Sequence, residues 1–213
     1  MQFPLDLHNH SRWSKDSFLD PLAVLRTARK RGLRGMAITD HGTIRGGLEA
    51  RRVNPFDDFL VIVGAEIRTE IGDVVGLFLE KEITGTTFAA VAAEIHAQNG
   101  LVLLPHPGKL PTSLVQPFLP QIDLIEVWNA RSKPKWNHAA ALLAEEARKP
   151  VTAASDAHGK FEIARAYTIL EVENLHTVRD DLLKAPRTLV RRRTNFYLSH
   201  VLSVLTERWK QRF

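Results

Sequence analysis

Short apolar runs punctuate the chain, reading "FPLDL", "GMAIT", "FLVIV", "VVGLFL", "LVLL", "LIEV", "VTAA" and "AYTILEV", and helical patterns lie between several of them. This alternation constrains the fold more than any other feature, because strands interleaved with helices build a mostly parallel sheet covered by helices. The helices carry their own end signals. In "DPLAVLRTARKRG" Asp20 is placed to cap the N-terminus, Pro21 fits the first turn, Arg29, Lys30 and Arg31 suit the C-terminal end of the dipole, and Gly32 stops the helix. "TTFAAVAAEIHAQNG" and "PKWNHAAALLAEEARKP" close in the same way at Gly100 and Pro150. One stretch departs from the pattern: in "AEIRTEIGDVVGLFL", Gly72 and Asp73 between two β-like runs predict a hairpin.

What ends each run matters next, since chemistry in parallel α/β folds collects at the carboxyl ends of the strands. The first run leads into His8 and His10, which at i and i+2 of an extended chain point to one side. The following runs end in Asp40 and His41, Glu66, His106 within Pro-His-Pro, Asn129, and the pair Asp156 and His158. Accidents repeated at so many strand ends are less probable than one common site, and with no cysteine in the chain His, Asp and Glu are the strong ligands available. A shared metal centre held by nitrogen and oxygen is the expectation. His96, His138, His176 and His200 fall in helices or helix entries, away from strand ends, and are assigned no chemistry.

The motifs "DLHNHSRWSKDS", "GLRGMAITDHGTIRG", "VIVGAEI", "LLPHPGK", "IEVWNAR" and "VTAASDAHG" resemble, in order and spacing, those of the polymerase and histidinol phosphatase (PHP) superfamily over about residues 3 to 171. The resemblance implies an α/β fold, a distorted (βα)7 TIM-like barrel of the PHP type, here with a C-terminal helical extension. The expected organisation is a single domain, with the barrel at 1–175 and the basic extension packed on it at 176–213. It also implies two or three divalent metal ions, Mn, Fe or Zn. Carried over position by position, His8, His10 and Asp156 hold the first ion, Glu66 bridges to a second held by His106, and Asp16, His41 and His158 hold the third. An aspartate at position 16, where many members have histidine, resembles the subgroup that acts on nucleotides. Asp73 stands where nucleotide-acting members often carry a histidine; it serves equally well as a replacement ligand or as a turn residue.

Such a centre implies a metal-dependent phosphoesterase. Two ions bridged by Glu66 can lower the pKa of a shared water and supply a hydroxide for in-line attack on phosphorus, which makes Glu66, His106 and Asp156 the expected catalytic ligands. Arg12, Lys15, Lys109 and Arg131 lie in loops expected around the mouth, with Arg131 suited to fork onto a phosphate, and Asn129 is placed to bond substrate or a ligand. Nucleotides or short oligonucleotides, RNA or DNA, are the expected substrates. The alternative is a small-molecule phosphatase of the histidinol-phosphate or sugar-phosphate type, with an amidohydrolase and a non-catalytic nucleic-acid-binding module as more distant rivals. No apolar run approaches membrane-spanning length and the N-terminus lacks signal-peptide character, so a cytoplasmic protein without a membrane partner is expected.

The net charge of +5 concentrates toward the C-terminus. There Leu198, Val201, Leu202, Leu205 and Trp209 recur at helical spacing, which predicts a helix that packs this stripe on the barrel with Arg208, Lys210 and Arg212 at its C-terminal end. A second reading has Arg191, Arg192 and Arg193 extending the mouth to hold an oligonucleotide backbone.

Overall fold

The computed structural model describes residues 1–212. The strands are β1 (Gln2–Asp6), β2 (Gly35–His41), β3 (Leu60–Thr69), β4 (Gly72–Leu77), β5 (Leu101–Leu104), β6 (Leu124–Asn129), β7 (Val151–Ala154), β8 (Ala166–Glu171) and β9 (Arg187–Arg191). The helices are α1 (Pro21–Lys30), α2 (Arg45–Val53), α3 (Phe88–Ala97), α4 (Thr112–Val115), α5 (Pro134–Ala147), α6 (Val178–Lys184) and α7 (Phe196–Lys210). All nine strands join one sheet in the order β7-β6-β5-β4-β3-β2-β1-β8-β9. β1, β2 and β3 run parallel, as do β5, β6 and β7, whereas β4 is antiparallel to both of its neighbours.

The sheet curls into a nearly closed barrel because the chain beyond β1 meets the chain beyond β7. Asp156 N donates to His8 O (2.8 Å), His10 N donates to Ala157 O (2.9 Å), and Asn9 and Ala157 form a parallel bridge. At the opposite end β8 holds the seam apart: it pairs antiparallel with β1, and its Thr168 Oγ1 accepts from Ala153 N at 3.0 Å. Closure at the mouth and a wedge at the base account for the distortion. The nearly closed, distorted barrel that the resemblance implies is observed, although its sheet has nine strands and β4 and β8 break the run of parallel βα units.

Local signals act as read. Asp20 accepts from Ala23 N (3.0 Å) to cap α1, and Val24, Leu25 and Ala28 bury its inner face. At the hairpin the tight loop is Glu70-Ile71, two residues earlier than expected, so Gly72 at φ +99° and Asp73 already belong to β4. Ala37, Ile62 and Leu124 share an apolar cluster with Phe3, Leu77 and Leu103. Positions two or four residues further along the same strand face are His41, Glu66 and Glu126. One face of each strand is therefore apolar below and ligand-bearing above.

The C-terminal segment corrects two expectations. The extension, expected at 176–213, is not purely helical over its described residues, because β9 extends the sheet by pairing with β8. More consequentially, the stripe of α7 points outward: Leu198, Val201, Leu202, Leu205 and Trp209 are each at least 42% exposed, while Ser199 and Ser203 are buried. The physical reason is the surface beneath. α7 crosses a mouth rich in charged groups, where leucines would strip those groups of partners; serines instead bond them and permit close approach. Lys210 also points inward rather than out. Arg191, Arg192 and Arg193 are exposed, with Arg191 6.0 Å from the Trp128 ring centre.

Candidate metal centre

The strand ends deliver their side chains to one place. Glu66 occupies the middle: its Oε2 lies 3.4 Å from His8 Nε2, 3.3 Å from His10 Nε2 and 3.2 Å from His41 Nδ1, and its Oε1 lies 3.4 Å from His106 Nε2. Asp156 Oδ1 faces His8 Nε2 at 3.7 Å, His10 Nε2 at 3.4 Å and His158 Nδ1 at 3.5 Å. Asp16 Oδ2 faces His158 Nε2 at 2.9 Å and His41 Nε2 at 3.5 Å. These groups fall into three overlapping sets: His8, His10 and Asp156; His8, Glu66 and His106; and His10, Asp16, His41 and His158.

The residues fit metal ions. Two donors on one ion with bonds of about 2.1 Å stand about 3.0–3.4 Å apart, and most of the observed separations are of this size. His8 Nε2, His10 Nε2 and Asp16 Oδ1 are buried yet have no hydrogen-bond partner among the described residues, a costly arrangement for groups that do not bind an ion. Hard carboxylates mixed with imidazoles suit Mn, Fe or Zn.

Each ligand is held from behind. Glu126 Oε2 bonds His8 Nδ1 at 3.0 Å in a fully buried pair, which turns Nε2 toward Glu66. Ser14 Oγ does the same for His10 Nδ1 at 3.0 Å. Asp40 accepts from Ser11 N (2.6 Å), Ser11 Oγ (2.7 Å) and Ser14 Oγ (2.8 Å), so it shapes the loop after β1 and stands outside the three sets. Glu162 accepts from His158 N and Gly159 N, both at 2.8 Å. His106 and Asp156 adopt left-handed backbone, at φ 34° and 53°, a strained conformation that persists at sites where the side chain must be aimed. Gly108 lets the His106 loop lie on α5: a Cβ there would sit 1.8 Å from Trp136 O.

The expected substrate groups have varied placements. Arg12 does not reach the cluster, because its guanidinium is held by Asp20 and Glu49. Lys15 pairs with Glu207 of α7 at 2.9 Å. Asn129 points inward and acts on the ligands, donating to Glu126 Oε1 (2.7 Å) and Asp156 Oδ2 (3.1 Å) while accepting from Arg131 N (2.9 Å). Arg131 lines the mouth, but its Nη1 rests against His158 Nδ1 and its Nη2 donates to Ser203 Oγ (2.8 Å) and Ser199 O (3.1 Å). Asp73 lines the mouth outside the three sets, held by Arg68 Nη1 at 2.9 Å directly across the hairpin. A cavity of about 190 Å³ over the cluster is lined also by Lys109, Phe196 and His200.

Phe196 and His200 are contributions that the sequence did not announce, since nothing in it shows that α7 crosses the mouth. Glu126 did carry a signal: a carboxylate in the midst of "LIEV", a run otherwise built for burial.

Carboxylates and imidazoles this close shift one another's protonation. Burial by itself lowers the His8 pKa, but Asp156, Glu66 and Glu126 outweigh it and hold that imidazole protonated well above the usual range. Burial likewise works against His41, and the Asp16 and Glu66 carboxylates raise it to about 9. His10 goes the other way, to about 3, through burial and the neighbouring His158 and His41. Glu66 and Asp156 sit well below the carboxylate range: burial opposes ionisation, and His8 above all overcomes it.

The sequence pattern of the PHP domain matches residues 6–150, and that of the PHP-associated region matches residues 134–188. The chain belongs to the PHP domain family. It is 35% identical over 138 residues to the uncharacterized protein MJ1587 of Methanocaldococcus jannaschii, covering 59% of this chain and 81% of that one. It is 29% identical to MJ0417 of the same organism, covering 98% and 88%. Among solved structures, PsfC from Pseudomonas syringae superposes with a TM-score of 0.68 at 18% identity, covering 99% of this chain and 98% of that one. A candidate metal-dependent phosphoesterase from Bifidobacterium adolescentis gives 0.62 at 17% identity, covering 73% and 88%. An amidohydrolase from Chromobacterium violaceum, with bound sulfate and no metal, gives 0.61 at 18% identity, covering 72% and 87%. At these identities the likeness is one of fold.

Two outcomes are expected. Ions displace the protons held on His8 and His41 but find His10 already neutral, so loading at pH 7 should release protons, and affinity should rise as the pH is raised through about 9, where His41 loses its proton. Calorimetry in buffers of different ionisation enthalpy measures this, and zero release would contradict the assignment. Replacing Glu66 by Gln should lower metal affinity at least about tenfold, whereas His138→Gln, on the exposed side of α5, should leave metal content unchanged. Elemental analysis of both variants after dialysis against one metal buffer makes the comparison.

Proposed function

We propose that this protein hydrolyses phosphate esters in a metal-dependent reaction, with nucleotides or short oligonucleotides as substrates. The observation that carries this reading is the position of Glu66, one carboxylate facing four imidazoles at the mouth of a barrel. Ions bound by these ligands would lower the pKa of a shared water and neutralise charge on the phosphate. The chain's own residues do the rest. His8, His10 and Asp156 converge with Glu66 and His106, so that the attacking side of the phosphate is set by strand ends rather than by mobile loops. Asn129 and Glu126 keep Asp156 and His8 oriented. Lys109, at the rim of the cavity, is placed to orient a phosphate oxygen.

Two features support a nucleotide over a smaller ester. Asp16 stands at the position where the resemblance to nucleotide-acting members lies. Phe196 and His200, stacked with their planes 4° apart, form an aromatic rim beside the cluster on which a base can rest. The name of the Bifidobacterium adolescentis structure agrees with phosphate chemistry. That of the Chromobacterium violaceum structure supplies the rival, hydrolysis of an amide.

Prolonged chelation should abolish phosphate release from nucleoside monophosphates and 5′-phosphorylated oligonucleotides, and Mn, Fe or Zn should restore it. Turnover that survives verified metal removal, or hydrolysis of amides and lactones in place of phosphate esters, would sink the reading. The base platform has its own test: Phe196→Ala should raise KM for a nucleoside monophosphate about tenfold, the worth of one stacked base, and leave glycerol phosphate kinetics alone. Equal effects on both substrates would remove the support for nucleotides.

A further inference from the structure

We infer that α7 is a strap that assembles one of the three ligand sets, that of His10, Asp16, His41 and His158, and that Lys210 is its principal positioning residue. The inference rests on the metal reading proposed above. It begins with Asp16, which lies in the irregular loop after β1 and has no strand to fix it. Three carbonyls of that loop, from Arg12, Ser14 and Ser17, converge on Lys210 Nζ at 2.6, 2.6 and 2.7 Å. An ammonium has three donors, and all three are used on one loop. Three carbonyl dipoles turned toward one point repel one another unless a cation stands there, and here the last turn of α7 supplies it. One turn earlier, Glu207 pairs with Lys15, the residue next to Asp16.

The other part of the helix holds the opposite ligand. Ser203 Oγ and Ser199 O accept from Arg131 Nη2, and Arg131 Nη1 rests against His158 Nδ1. Asp16 and His158 then meet at 2.9 Å. α7 thus grips both sides of this set, through polar contacts made by the face that buries Ser199 and Ser203, while Arg131 Nη1 also donates to Asp156 O (3.4 Å) in a neighbouring set. The other two sets are fixed differently. Glu126 orients His8, and Glu66 and His106 come from β3 and the end of β5. Loss of the Lys210 contacts, all of them on the loop that carries Asp16, should therefore cost one ion selectively.

The test uses the full chain. At a fixed free Mn concentration, Lys210→Met should hold one ion fewer than wild type, with the affinity for that ion lowered about 10- to 100-fold and the others retained. Lys210→Arg, which keeps the charge and two or more donors, should recover part of the loss. An independent reading comes from the metal-free protein: hydrogen exchange at the Ser14 and His41 amides, which bond Ser11 O and Ser14 Oγ, should quicken in Lys210→Met and stay unchanged in Lys184→Met on α6. If Lys210→Met fails to fold, Ser203→Ala carries the same measurement from the Arg131 side, and a drop of at least about threefold in affinity for one ion supports the strap. Metal content and exchange equal to wild type, or uniform loss of all ions from a folded variant, would overturn it. A wild-type protein that takes up no divalent ion would instead overturn the metal reading, and the strap's role at the cluster with it.

Discussion

Everything at the mouth depends on a negative charge buried among imidazoles. Glu66 is almost wholly enclosed, and so are His8 and His10. Rings this close, with His8 and His10 centred 5.2 Å apart and His10 and His158 4.1 Å apart, could not share protons without the carboxylates between them. The reverse also holds, since burial works against the ionised forms of Glu66 and Asp156, and the facing imidazoles, His8 above all, together with Arg131 beside Asp156, overcome it. Neither half of the cluster is tolerable alone. This mutual dependence explains the shell of further carboxylates, Glu126, Asp40 and Glu162, each of which fixes a ring or a loop against movement.

Much of this was legible in the sequence, for a physical reason. Strand periodicity puts alternate residues on one face, so Ala37 to His41 and Ile62 to Glu66 could be followed from core to mouth along the chain. Capping and stop signals at Asp20, Gly32 and Pro150 are local chemistry and read locally. The side chains at the strand ends, His8, His10, His41, Glu66, His106, Asp156 and His158, lie together at the mouth, and Asp16 joins them from a loop.

What escaped was how α7 and the connecting loops pack onto the barrel. The periodicity of α7 identified an apolar stripe correctly, but a stripe does not say which side faces the barrel. That choice was made by Arg131 and by the carbonyls of the loop at 12–17, which offered the helix polar partners on its serine side. Arg12 and Arg131 are likewise occupied by carboxylate, histidine and serine partners that their places in the sequence do not reveal. A charged side chain in a loop has a position in sequence but acquires a role only from what folds against it.

The closure of the barrel has a consequence for the order in which the chain can acquire its structure. β1 sits inside the sheet between β2 and β8, and Ser155 N donates to Asp6 across 149 residues, while Lys210 reaches back 198 residues to Arg12. The loop bearing His8, His10 and Asp16 is synthesised before nearly all of its partners. The late segments that enclose these side chains do so through contacts of long sequence separation, the kind that slows folding. An emerging chain carries these histidines long before their partners exist, so the three convergent sets belong to the finished barrel and not to any early segment of it.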